Sequence, residues 1–184
     1  MEIYILLYFS IVFIGVFSDR DILSIKNKTI INPNILLFGF TSILFLLAAI
    51  REGIGTDYYL YKGIYNTQAE EKVELGWAYS LLSDFLRFLE VDYQVLIAVN
   101  SIVFLIVIYY LIKKFSYYKY ISLITLLGTY MYFASYNTFR QMTSIAVVLI
   151  ALIVFNTYKK KLLGILVFII SIGLHKSSLM FAPL

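Results

Sequence analysis

The sequence predicts an all-α protein, a polytopic bundle of about six membrane-crossing helices with one further helix lying at the membrane interface. Three observations carry this. Apolar residues make up 61% of the 184 and charged residues only 14%, against roughly 25% in a soluble domain, so the chain lacks the polar surface to face water all round. Long charge-free runs alternate with short polar segments. The basic residues gather in short clusters that fall on one side of the resulting topology.

The runs, in order, are 3–18, 29–50, 93–112, 120–139, 141–158 and a shorter one at 162–174. A spanning helix needs about 20 apolar residues, with ~17 as a lower limit. By that measure 93–112 and 120–139 fit best. The first run has no basic stretch before it and no clear cleavage site after it, so it reads as a true span rather than a leader. The run at 162–174 is short unless its helix continues through His175 and Lys176 towards Pro183. Continuation would put His175 roughly 20 Å along the axis from the Lys159–Lys161 end, in the far third of the bilayer.

Residues 75–90 carry polar or small residues at helical spacing (Gly76, Ser80, Ser83, Asp84, Arg87, Glu90), with Leu75, Ala78, Leu81, Leu82, Phe85 and Leu89 opposite. Such a two-faced helix, with Trp77 and Tyr79 beside it, is expected to lie flat at the interface. Placing it flat leaves Arg20, Lys26, Lys28, Lys113, Lys114, Lys119, Lys159, Lys160 and Lys161 on one side, nine of the fifteen basic residues. The excess of Lys and Arg then assigns that side to the cytoplasm and the N-terminus to the outside. The whole chain, 1–184, reads as one transmembrane domain with an outer segment over 51–92. Its apolar end, just past Pro183, leads us to expect the N-terminal part of a longer protein.

The outer side holds the polar chemistry. Directly after a span comes Arg51-Glu52-Gly53-Ile54-Gly55-Thr56-Asp57-Tyr58-Tyr59-Leu60-Tyr61. Two glycines two apart open backbone conformations closed to other residues, so a shaped turn is expected, with an anion-binding Arg51 near a carboxylate, Asp57. The plainer reading is a snorkelling arginine, a capping aspartate and an aromatic belt. Arg140, followed by Gln141, sits in the turn between two runs, able to pair with Asp57 or Glu74 or to hold a phosphate by bidentate hydrogen bonds. Otherwise it reaches lipid headgroups. His175 is the only histidine, a residue type that serves as base or donor near neutral pH but is as often a structural hydrogen-bonder. Glu74 opens the interfacial helix beside Gly76 and Trp77, where a carboxylate also simply suits the helix dipole. One histidine and no cysteine leave no zinc site of the usual kind. The basic clusters are topological, so no nucleic-acid partner is expected. Asp19-Arg20-Asp21 lies in a short cytoplasmic loop without a nucleotide-binding domain and is discounted as a D-x-D motif. No metal or cofactor is expected.

Four blocks together resemble the EpsG family, Wzy-like polymerases of bacterial exopolysaccharide, capsule and O-antigen. They are R-x-G-x-G-T-D-Y-x-x-Y (Arg51, Gly53, Gly55, Thr56, Asp57, Tyr58, Tyr61), E-x-G-W (Glu74, Gly76, Trp77), R-Q (Arg140, Gln141) and H-x-S-S (His175, Ser177, Ser178), in the family's order across nearly the whole chain. The resemblance implies a glycosyltransferase of the bacterial cytoplasmic membrane that joins undecaprenyl-diphosphate-linked oligosaccharide repeat units on its outer side, in contact with membrane lipid and working with chain-length regulator and flippase proteins. It implies Asp57, His175 or Glu74 as the group taking the acceptor proton. Arg51 and Arg140 would hold diphosphate, and Gly53, Gly55, Tyr58, Tyr61, Trp77 and Gln141 would line the substrate site. The alternatives are a transporter or glycolipid flippase, a membrane acyltransferase, or an inactive structural fragment. A transporter would put charges at mid-membrane on broken helices, whereas nearly all charges here lie at span ends. An acyltransferase would want its histidine near a cytoplasmic donor.

Overall fold

The computed structural model describes residues 2–18, 24–25, 28–29, 32–67 and 75–182. Their regular structure is helical, apart from a two-residue antiparallel pair that sets Ser24–Ile25 against Lys28–Thr29. In order the helices are α1 (Glu2–Ser18), α2 (Pro33–Ala49), α3 (Tyr58–Thr67), α4 (Trp77–Phe88), α5 (Tyr93–Phe115), α6 (Lys119–Gly128), α7 (Met131–Asn137), α8 (Phe139–Leu152) and α9 (Lys161–Leu174). A π-helical turn, Ile153–Thr157, prolongs α8, and a 3₁₀ segment, Lys176–Phe181, follows α9.

Among the described residues, two helices are long and apolar enough to cross a membrane. These are Tyr93–Phe115, 23 residues with mean hydropathy 2.7, and Phe139–Thr157, 19 residues with mean hydropathy 1.8. Three of the other expected runs form shorter apolar helices, at Glu2–Gly15, Pro33–Ala49 and Lys161–Leu174. The run 120–139, expected as one span, is broken into α6 and α7. The Thr125 and Thr129 hydroxyls donate back to the Ile121 and Thr125 carbonyls at 2.8 and 2.7 Å, a pairing that weakens and bends helices. Gly128, a poor helix former, sits between them, and Tyr130 takes a left-handed φ of 66°. The last run also differs from expectation. Its helix ends at Leu174, because His175 is extended (φ −157°, ψ 127°) and its side chain caps the 3₁₀ segment that follows.

The chain forms two compact units, Met1–Leu44 with Ile108–Phe133, and Phe45–Val107 with Ala134–Leu184. In the first, α1 packs on α6 where Gly15 admits Tyr120, and a Cβ at Gly15 would lie 2.7 Å from the Tyr120 Cβ. Tyr132 is fully buried there and donates its hydroxyl to the Leu44 carbonyl at 2.7 Å.

The second unit holds all the described candidate residues. Its core is aromatic: Tyr58, Tyr65, Tyr79, Tyr93 and Phe139 pack with Leu86, Leu96, Ile97 and Leu174. Helices α8 and α9 pair along their length, and α4 lies against α9. Helix α4 has two apolar faces rather than one. Tyr79 and Leu86 are buried, while Trp77, Leu81, Phe85 and Phe88 are exposed, Phe88 by 82%. Ser83, assigned by sequence to the polar face, is buried instead.

Candidate functional site

The Arg51 block forms the shaped turn that its glycines predict. Gly53 and Gly55 both take positive φ, +63° and +112°, a region costly for any residue with a Cβ. At Gly55 the backbone presses on its neighbour, since a Cβ there would lie 2.9 Å from Asn137 Oδ1 and 3.0 Å from the Tyr136 carbonyl oxygen. The turn runs into α3, which starts at Tyr58. Arg51 is only 4% exposed, and its guanidinium stacks over the Tyr136 ring at 4.3 Å. Gln94 ties down the chain on either side, its Nε2 donating to the Ala49 and Arg51 carbonyls, the latter at 2.9 Å. The Tyr58 hydroxyl reaches Gln94 Oε1 at 3.5 Å.

Arg140 lies in the first turn of α8 rather than in a free loop. Its Nε and Nη2 donate to the Tyr61 hydroxyl at 3.1 and 2.5 Å. The guanidinium also lies 4.7 Å from the Tyr61 ring centroid and 5.3 Å from that of Tyr79. No carboxylate among the described residues forms an ion pair with Arg140; Arg87 and Asp84 make such a pair on α4. The residues just before Arg140 meet the Arg51 block as well, for Asn137 Oδ1 accepts the Thr56 backbone N–H at 2.8 Å. Asp57 Oδ1 accepts the Thr56 hydroxyl at 3.3 Å.

His175 stands just past the end of α9. Its Nδ1 accepts the Ser177 backbone N–H at 3.3 Å and lies 2.8 Å from Ser177 Oγ. A nitrogen that accepts carries no proton, so the neutral ring bears its hydrogen on Nε2. Burial first, and then the charge of Arg140, hold the imidazole below its usual pKa, because both disfavour a second positive charge. The turn itself is held from beneath by buried serines: Ser144 Oγ donates to the Ser171 carbonyl at 2.8 Å and also pairs with Ser178 Oγ.

A close backbone crossing joins the second block to the end of α9, just before the fourth. A Cβ at Gly76 would overlap the Gly173 carbonyl oxygen, and one at Gly173 would lie 2.6 Å from the Trp77 indole nitrogen. This contact fixes the start of α4 against the end of α9, two residues before His175.

The structure therefore brings three of the blocks into one cluster. Arg140 touches Tyr61, and its charge reaches His175. The Tyr93 ring packs against the Tyr58 ring, with centroids 5.6 Å apart. Glu74 lies outside the described residues. Tyr58, expected as a face for a sugar ring, is 4% exposed, packed edge-on against Tyr59 and Tyr93. It belongs to the core. Trp77 packs on Gly173 yet keeps about half its surface open, and Gln141 is half-buried beside Arg140. Sequence reasoning gave no site role to Tyr79, Tyr93, Gln94, Tyr136 and Asn137. A polar residue inside an apolar run is the signal that would have found Gln94 and Asn137.

The EpsG family model matches residues 34–184. No curated protein and no solved structure matches the chain. The matched region takes in the four motif blocks and both helices long enough to span a membrane, and the family points to polysaccharide biosynthesis at a membrane. The chain belongs to the EpsG family.

Proposed function

We propose that the protein is a polysaccharide polymerase of the bacterial cytoplasmic membrane, joining undecaprenyl-diphosphate-linked repeat units on the outer face. In this reading about six segments cross the bilayer, the N-terminus is outside, and α4 lies at the interface. The acceptor sugar hydroxyl attacks the anomeric carbon of the donor glycan, the bond to lipid diphosphate breaks, and the proton passes to a base.

The observation that carries the reading is Arg140, a half-buried guanidinium held by tyrosines and unpaired with any carboxylate among the described residues. Diphosphate leaves readily once its charge is held, so fixed cations are the main catalytic requirement. Arg51, stacked on Tyr136, supplies the second. Asp57 is the base in this scheme, because His175 Nδ1 is already engaged by Ser177. The neutral imidazole then offers its Nε2–H as a donor to a sugar or phosphate oxygen. Tyr61 and Trp77 offer faces to sugar rings. Chain-length regulator and flippase proteins are the expected partners.

The test is glycan length in cells lacking their own polymerase and expressing Arg140→Ala or Asp57→Asn at equal membrane level. The proposal expects long glycan to vanish while single repeat units accumulate on lipid. Normal polymer from both variants would overturn it.

A further inference from the structure

We infer that Asn137 is a positioning residue that sets Arg51 and its turn at a fixed distance from Arg140, so that the two guanidiniums bind one diphosphate together. The inference rests on the proposed function above and adds a residue to it. Three contacts join the short segment 136–140 to the turn 51–61 like rungs. The Tyr136 ring carries the Arg51 guanidinium at 4.3 Å, Asn137 Oδ1 accepts the Thr56 N–H at 2.8 Å, and Arg140 donates to the Tyr61 hydroxyl at 3.1 Å. The outer rungs are side chain on side chain, and Gln94 holds the main chain at the Ala49 and Arg51 carbonyls, where the turn begins. Of the three, the middle one alone holds backbone, and it does so beside Gly55, whose φ is +112° and where an added Cβ would lie 3.0 Å from the Tyr136 carbonyl oxygen. A carboxamide is the right group here: its oxygen accepts from the amide, and it brings no negative charge beside two guanidiniums, as an aspartate would.

The test is polymerisation in membrane vesicles supplied with lipid-linked repeat units, with inorganic pyrophosphate as a competing anion. Asn137→Ser keeps a polar side chain too short to reach Thr56, and Asn137→Leu keeps the volume without the acceptor. Both should raise KM and weaken pyrophosphate inhibition together by roughly 3- to 10-fold, the size of one net hydrogen bond, with kcat within about two-fold. Gly55→Ala breaks the same contact from the other side, so adding it to Asn137→Ser should cost less than the two separate losses combined. If Asn137→Leu does not reach the membrane, Asn137→Ser decides. Unchanged pyrophosphate inhibition in Asn137→Ser, or a fall in kcat alone, overturns the positioning role while Arg140→Ala still abolishes polymer. If Arg140→Ala polymerises normally in the same assay, the functional reading itself fails and this inference falls with it.

Discussion

Four glycines allow opposite outcomes to be predicted from the same substitution. At Gly76 an added methyl would meet the Gly173 carbonyl oxygen and lie 2.9 Å from its carbon, whereas at Gly39 and Gly63 nothing stands within 4 Å of the new Cβ. Overpacking of this kind costs about 1–3 kcal/mol, while alanine for glycine in an open helix gains about 0.5–1 kcal/mol. Gly76→Ala and Gly63→Ala should therefore differ by about 1.5–4 kcal/mol. At ~2–4 °C per kcal/mol for a chain of this size, that is a gap of roughly 3–16 °C in Tm. The chain has a single tryptophan, Trp77, and it is the side chain seated on Gly173, so intrinsic fluorescence in detergent reads both unfolding and the crossing. Gly76→Ala and Gly173→Ala should each lower Tm and shift emission to the red as the ring is wetted. The double variant should fall short of additivity, since one added methyl already parts the backbones. A Gly76→Ala protein that gains stability as Gly63→Ala does, with unmoved emission, would show that α4 and α9 do not cross here.

Other substitutions probe the cluster. His175 is the sole histidine, so its imidazole resonances can be followed alone; the midpoint should lie below the ordinary ~6.5 and rise in Arg140→Gln, which removes one of the two causes of the depression. The linked effect on stability has a definite sign: below about pH 6.5 the unfolded chain takes up a proton that the folded site refuses, so Tm should fall with acidification and less so in His175→Gln. Tyr61→Phe keeps the ring under Arg140 but removes the hydroxyl that accepts from it. A hydrogen bond from a charged donor is worth roughly 1.5–3 kcal/mol, so polymerisation should fall about ten-fold or more at equal membrane level. Gly55→Ala places a Cβ at φ +112° against Asn137 and should shorten the glycan, while Gly63→Ala leaves glycan length unchanged.

Helical class and most helix positions were legible because apolar runs and charge clusters need only local patterning. The turn at 51–57 was legible for the same reason, since paired glycines announce unusual backbone whatever surrounds them. The break at Gly128 was missed. Hydropathy does not register the back-bonding of Thr125 and Thr129, and those hydroxyls count as mildly polar members of a long apolar run. The end of α9 was missed in a similar way. His175 could have continued the helix, but its ring turns to cap the next segment, and the buried Ser144–Ser171–Ser178 contacts that hold the turn come from residues 27 and 34 positions apart. The site divides along the same line. Its charges were legible one by one, whereas Gln94, Tyr136 and Asn137 matter only through contacts 43 to 85 residues away in the chain, 94 to 51, 136 to 51 and 137 to 56.

The choice of tyrosine as the partner of Arg140 bears directly on the proposed binding of an anion. A carboxylate beside Arg140 would fix its position equally well, but it would cancel the charge and leave a neutral pair with little pull on an incoming anion. A tyrosine fixes the guanidinium through a hydroxyl acceptor and a ring face while leaving its full positive charge in place. At Arg140 this is done by Tyr61 and Tyr79, and the Arg51 guanidinium also lies over a tyrosine ring, that of Tyr136. Burial makes the arrangement stronger, since a charge with few waters around it attracts an anion over a lower effective dielectric. It also comes at a cost in stability, because a guanidinium 4% exposed has lost most of its hydration. Residues arranged only to hold a helix end would not carry that cost, since an exposed arginine reaching the headgroups caps a span more cheaply. In the proposed function that cost is set against the charge of the lipid diphosphate, which the two guanidiniums would share.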